Sequence, residues 1–137
     1  MTSAAPSDFE PARFSKGFLE RSGPYFLRRD PESIVVGLRI DEGHLNYVGV
    51  VHGGVLTTFA DVALSLQIHE LEVPSLSPVT NSLTTNFLGA ARLGDWLEAH
   101  ARIDQIGKRL AHTSGQIRRA NELIMTMTGV FSIRRSA

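Results

Sequence analysis

The chain has 137 residues, 42% hydrophobic and 20% charged, the composition of an ordinary folded domain rather than a disordered segment. Lys plus Arg and Asp plus Glu number 14 each, for a formal net charge of zero, which withholds the attraction that general nucleic-acid and anionic-membrane binders use. There is no cysteine, so disulfides, thiolate zinc sites and cysteine nucleophiles are excluded together.

No apolar run approaches the ~20 residues that span a bilayer, and the first ten residues lack the basic and apolar regions of a secretory signal. One cytoplasmic domain, 1–137, is predicted, with no membrane or nucleic-acid partner. Its neutral surface leaves self-association open. Residues 1–8 are small and polar and read as a flexible tail. Residues 9–22 read as a short amphipathic helix carrying Phe14 and Phe18 at i, i+4 and ended by Gly23-Pro24. Residues 33–40 alternate as a strand, with Ile34, Val36, Leu38 and Ile40 on one face, and Asp41-Glu42-Gly43 reads as a turn.

His52-Gly53-Gly54 opens a proline-free segment to about Leu71 that is apolar on most sides. It reads as a helix of ~30 Å, and a helix apolar nearly all round is a buried one. Its one polar line is Gly54, Thr58, Asp61, Ser65 and His69. Four strand-like runs follow at residues 79–88, 95–105, 108–120 and 123–135. Their short turns predict successive antiparallel hairpins. The expected class is α+β: a curved antiparallel sheet of five to six strands wrapped around one long central helix, about 53–71, behind a short N-terminal helix. A single sheet layer leaves one face bare, so pairing of two copies, edge to edge or face to face, is the expected remedy.

Gly53 and Gly54 at a helix start allow a ligand close to the backbone, and first-turn N–H groups have no intrahelical acceptor. With the positive end of the macrodipole they suit an anion or a polarised carbonyl oxygen; the alternative is that they only fit a tight entry turn. Asp61 lies between apolar Ala60 and Val62 and is a candidate general base or nucleophile, against the bland reading of a solvent-facing aspartate. Eight residues of helix rise ~12 Å, so one helix cannot bring its own Asp61 to its own Gly53; the two would have to meet across a symmetric dimer. His52 has no partners at metal-ligand spacing among His44, His69, His100 and His112, so no metal site is predicted and a structural role leads. Lys108 and Arg109 read as a surface turn.

Over residues 33–135 the chain resembles the hotdog-fold acyl-CoA thioesterases of the 4-hydroxybenzoyl-CoA thioesterase superfamily, in the PaaI-type branch named for phenylacetate degradation. The resemblance rests on Asn46-Tyr47-Val48-Gly49-Val50-Val51-His52-Gly53-Gly54, on Asp61 within Thr58-Phe59-Ala60-Asp61-Val62-Ala63, and on the later turns Leu93-Gly94-Asp95 and Gly107-Lys108-Arg109-Leu110-Ala111-His112-Thr113-Ser114. It implies a hotdog core over 33–135 and hydrolysis of a small to medium acyl- or aryl-CoA. In that family the N–H matching Gly53 polarises the thioester carbonyl and the asparagine matching Asn46 assists, beside His52 and Gly54. The acid matching Asp61, from the opposite subunit, is base or nucleophile, and a hydroxyl matching Thr80, with Ser82 the alternative, holds the water. The turn matching Lys108 and Arg109 meets the CoA phosphates.

The resemblance also implies a homodimer or tetramer, and no cofactor beyond the coenzyme A of the substrate. The acyl pocket is expected among Phe59, Ala60, Ala63, Leu64 and residues of a partner copy. Rival readings are a non-catalytic acyl-CoA sensor and an acyl-CoA hydratase or dehydratase.

Overall fold

The longest apolar run of the sequence forms the longest helix, and the sheet is organised around it. In the computed structural model, which describes residues 5–14 and 17–134, the elements are β1 (Glu10–Pro11), α1 (Phe18–Ser22), β2 (Tyr25–Arg29), β3 (Ile34–Arg39), a 3-10 turn (Glu42–His44), α2 (Gly53–Leu71), β4 (Ser77–Phe87), β5 (Trp96–Ile106), β6 (Leu110–Arg119) and β7 (Glu122–Arg134). The expected tail at 1–4, residues 15–16 of the expected first helix and position 135 of the last strand lie outside the described residues.

The sheet has seven strands in the order β1-β2-β3-β5-β6-β7-β4, all antiparallel. This is one or two strands more than the sequence reading. The additions are β1 and β2: Tyr25 and Leu27 are buried while Phe26 is half-buried, so the strand is apolar on both faces and shows no clean alternation. The N-terminal helix is correspondingly shorter than 9–22. Glu10 and Pro11 are extended against Leu27 and Phe26 of β2. The residue before a proline is steered away from helix, and Phe9 and Phe14 are held apart by different partners. Phe9 meets Trp96 edge-on at 5.1 Å and Phe14 meets Tyr25 at 6.0 Å.

Strands β5, β6 and β7 follow one another as the expected hairpins, but β4 pairs with β7 at the far edge instead of with β5. The chain between β4 and β5 crosses the sheet end, docked where Ala91 O accepts from Val51 N–H at 2.8 Å and Gly94 N–H donates to Ile40 O at 2.9 Å. The sheet thereby curls around α2 from β3 on one side to β4 on the other.

α2 spans the expected residues and buries Leu56, Phe59, Ala60, Val62, Ala63, Leu64, Gln67 and Ile68. Helix and sheet close tightly at Gly129, where a Cβ would stand 2.7 Å from the Phe131 ring and 3.1 Å from Leu64 Cδ1. One polar residue is fully buried in this contact. The Gln67 amide donates to Ile34 O at 2.7 Å and Ala63 O at 3.0 Å, and its Oε1 accepts from Ile34 N–H at 3.1 Å. It satisfies the first residue of β3, whose lone N–H and C=O would otherwise be buried without partners. The stripe Gly54, Thr58, Asp61, Ser65 and His69 stays on the accessible side of α2. Among the described residues, no helix is long and apolar enough to cross a membrane.

Candidate active site

The N-terminus of α2 is held by hydrogen bonds within the preceding loop and from its cap. Leu45 and Val51 form an isolated bridge, closing a loop that Asn46 ties from within. Its N–H donates to Val50 O at 2.7 Å, and its Oδ1 accepts from Val48 N–H at 3.0 Å and Val50 N–H at 3.2 Å. With the amide oxygen spent on the loop, the Nδ2 donors face the other way. Asn46 is thus a loop-forming residue, whatever else it does.

His52 is the N-cap, with φ −68° and ψ 137°, and its Nδ1 accepts from Gly54 N–H at 2.8 Å. The cap places the ring proton on Nε2 and occupies one of the orphan donors of the first turn. Val55 and Leu56 N–H donate to His52 O. Gly53 N–H, the first helical amide, has no intrahelical acceptor and points out of the helix end.

The two glycines are there for different reasons. A Cβ on Gly54 would lie 3.0 Å from His52 Nδ1 and 3.2 Å from its Cε1, whereas one on Gly53 would meet the Phe87 ring at an ordinary 3.5 Å. Gly54→Ala therefore displaces the cap ring and lowers stability by about 1 kcal/mol, while Gly53→Ala leaves stability unchanged or raises it. Urea midpoints of the two variants check the contrast.

Asp61, half-buried on the same helix, receives a hydrogen bond from Thr80 Oγ1 at 2.6 Å. This contact depends on an irregularity in β4. Thr80 pairs with Phe131 and Ser82 with Val130, so Asn81 is bulged out, and a bulge changes which side chains face inward. Before it Thr80 turns to α2; after it Leu83 packs on the core and Phe87 on the helix start. Ser82 falls into the outward set with Thr84 and Asn86, whose amide donates to Thr126 Oγ1 at 3.2 Å. Of the two hydroxyls considered from sequence, Thr80 is the one beside Asp61.

Lys108 and Arg109 are exposed at the β5–β6 turn. Arg109 O accepts from Ile133 N–H at 2.9 Å, and Leu110 faces Ser132, itself paired with Val79. The basic turn therefore stands at the same sheet end as Thr80 and Asp61. Asn46, His52 and Gly53 are gathered at the start of α2, with Gly53 eight residues, about two turns of helix, before Asp61. Within one chain the site residues fall into these two groups. Phe59, Ala60, Ala63 and Leu64, expected around an acyl pocket, are fully buried against the sheet, which corrects that expectation: they face the core side of α2, opposite the polar stripe. Phe87 was not singled out from sequence, since only the fold of β4 carries it to Gly53. Among the described residues, no three His, Asp or Glu converge on a metal-binding point.

A long helix in a curled antiparallel sheet, with a capped Gly-Gly entry, is the hotdog arrangement, and a family model described as Thioesterase superfamily matches residues 48–125. The chain belongs to the thioesterase superfamily. This superfamily member is 41% identical over 129 residues to the Pseudomonas aeruginosa protein named "Putative esterase PA0474", covering 93% of this chain and 96% of that one. A Streptococcus pneumoniae hypothetical thioesterase protein solved with coenzyme A superposes with a TM-score of 0.74 at 25% identity, over 82% of this chain and 88% of that one. A phenylacetic acid degradation-related protein of Ralstonia eutropha does so with a TM-score of 0.70 at 25% identity, over 79% and 83%. The superfamily match takes in His52, Gly53, Asp61, Thr80, Lys108 and Arg109, and begins two residues after Asn46.

Proposed function

We propose that the chain is an acyl-CoA thioesterase of the PaaI-type branch, acting on small to medium acyl- or aryl-CoA substrates as a homodimer or a tetramer built from such dimers. The observation that carries this reading is the 2.6 Å hydrogen bond from Thr80 to Asp61 on the accessible face of α2, eight residues from an unpaired helix-end amide. The likeness to a structure solved with coenzyme A supports the substrate class, and the likeness to a phenylacetic acid degradation-related protein supports the branch.

In this mechanism the thioester carbonyl oxygen sits at Gly53 N–H, where the amide and the helix dipole stabilise the developing oxyanion. Asp61 of a second copy faces the carbonyl carbon. Thr80 holds one carboxylate oxygen and leaves the other for water. The carboxylate takes a proton as the water oxygen bonds to carbon; the C–S bond then breaks, and the departing CoA sulfur recovers that proton. Direct attack by Asp61 is the covalent version of the same geometry. Solvent isotope appearing in the Asp61 carboxylate in a single turnover identifies the covalent route. Asn46 Nδ2 is the second donor toward the carbonyl, His52 and Gly54 shape the helix end, and Lys108 and Arg109 meet the CoA phosphates.

The ~12 Å rise between Gly53 and Asp61 and the edge strand β4 support the dimer. This edge strand has all eleven residues exposed or half-exposed, and a long unprotected edge is a template for pairing with another chain. The test is release of free CoA from a panel of acyl-CoAs, read with a thiol reagent that the cysteine-free chain does not itself consume. Turnover of members of the panel supports the reading. Tight binding without release overturns it in favour of an acyl-CoA sensor.

A further inference from the structure

A pocket of about 410 Å³ opens beside the helix end, lined in part by Phe18 and Arg21 of α1, His44 of the 3-10 turn, and His52, Val55 and Thr58 of α2. Its size is that of a small-ligand cleft. His52 and Gly54, the residues on either side of Gly53, both line it, so it lies at the helix end.

The pocket is held in shape by His44, which is 3% exposed. His44 Nδ1 accepts from Asp41 N–H at 2.9 Å, its Nε2–H donates to Ser22 O at 2.9 Å and Gly23 O at 3.0 Å, and its own carbonyl accepts from His52 N–H at 2.9 Å. One side chain thus ties α1 to the loop that caps α2. α1 is fixed relative to the catalytic helix end and is no loose appendage.

The chemistry of the walls is uneven. Phe18 and Val55 are apolar, and among the described residues no carboxylate lines the pocket. Among the described residues, Arg21 carries the pocket's one permanent charge and has no salt-bridge partner. The cap leaves His52 Nε2–H as a second donor, with no hydrogen-bond partner among the described residues. A slot with apolar walls at Phe18 and Val55, an unpaired guanidinium and an N–H matches a short hydrocarbon chain that ends in an anionic acceptor.

We infer that this pocket is the acyl subsite and that Arg21 selects acyl groups ending in a carboxylate, making the substrate class the CoA monothioesters of short dicarboxylic acids. The inference rests on the thioesterase reading and deepens it. It also relocates the acyl group from the buried side of α2 to the cleft under α1.

The test compares adipoyl-CoA with hexanoyl-CoA, which differ only in the terminal carboxylate, in the wild type, Arg21→Met and Arg21→Lys. The ratio of kcat/KM, adipoyl over hexanoyl, is expected to fall roughly tenfold in Arg21→Met, the scale of one partly exposed charge-assisted hydrogen bond. Arg21→Lys, which keeps the charge, restores most of the ratio. Hydrolysis of both substrates with a ratio that does not fall in Arg21→Met overturns the subsite and leaves the thioesterase reading standing. If neither substrate is hydrolysed, the thioesterase reading fails for this class. Calorimetric Kd values for the same two ligands then decide the pocket by the same ratio: a fall in Arg21→Met supports it and an unchanged ratio overturns it.

Discussion

Asp61→Asn lowers turnover of a cleaved acyl-CoA by about 10²–10⁴-fold, the contribution of a positioned general base and equivalent to about 3–5 kcal/mol of transition-state stabilisation. The substitution is nearly isosteric, and its amide oxygen still accepts the Thr80 hydroxyl, so the 2.6 Å contact can persist. Asp61→Ala removes that contact as well, at a stability cost of about 1 kcal/mol or less for one accessible hydrogen bond. Both variants therefore fold, bind CoA and fail in the chemical step. Thr80→Ala, which leaves the carboxylate in place but unoriented, is expected to fall between them and the wild type. Steady-state kinetics beside thermal melts separate these effects. Near-normal turnover in both Asp61 variants removes Asp61 from the reaction.

Gly53→Pro is expected to lower turnover by about 10²–10³-fold, the typical loss on removing one oxyanion donor, with little change in melting temperature. The reasoning is local. Proline deletes the N–H and nothing else that the fold uses, since the first helical amide has no intrahelical acceptor and this position favours proline. The preceding residue must be extended, and His52 already is, at φ −68° and ψ 137°. At the Cβ position the nearest neighbour is the Phe87 ring at 3.5 Å, an ordinary contact. A stable variant with full activity shows that the amide is not the oxyanion donor.

Mixing the two inactive variants adds a test of the assembly. A heterodimer of Asp61→Asn and Gly53→Pro subunits holds one site with both groups intact, so activity returns on subunit exchange. If each chain formed its own complete site, no mixture would recover any.

The parts legible in the sequence were those set by contacts between near neighbours. α2 follows from an uninterrupted apolar segment with a capping histidine at its start, and its polar stripe appears on the accessible face because side chains three and four apart share a helix side. The hairpins β5–β6–β7 follow from alternation and short turns. Asn46, His52, Gly53 and Asp61 stood out because their spacing is carried within one loop and one helix. Phe14 and Phe18 misled, because an i, i+4 pair is also what two anchors in separate elements look like. Phe14 packs on Tyr25 whereas Phe18 is 65% exposed beside the pocket.

By itself, then, the sequence determined the helix, its cap, its polar face and the chemical groups on it, since caps and periodicity depend on residues a few positions apart. Only the tertiary structure decided which strand closes the far edge, which hydroxyl meets Asp61 and where a ligand has room. The position of β4 depends on pairing with β7, from Phe87 with Met125 to Ser77 with Arg134. The choice of Thr80 over Ser82 hangs on a single bulged residue that reverses the facing of the strand. The pocket exists because His44 draws the carbonyls of Ser22 and Gly23 toward the start of α2. Each of these is a long-range contact whose energy is collected only once the chain has closed on itself, so no local pattern announces it.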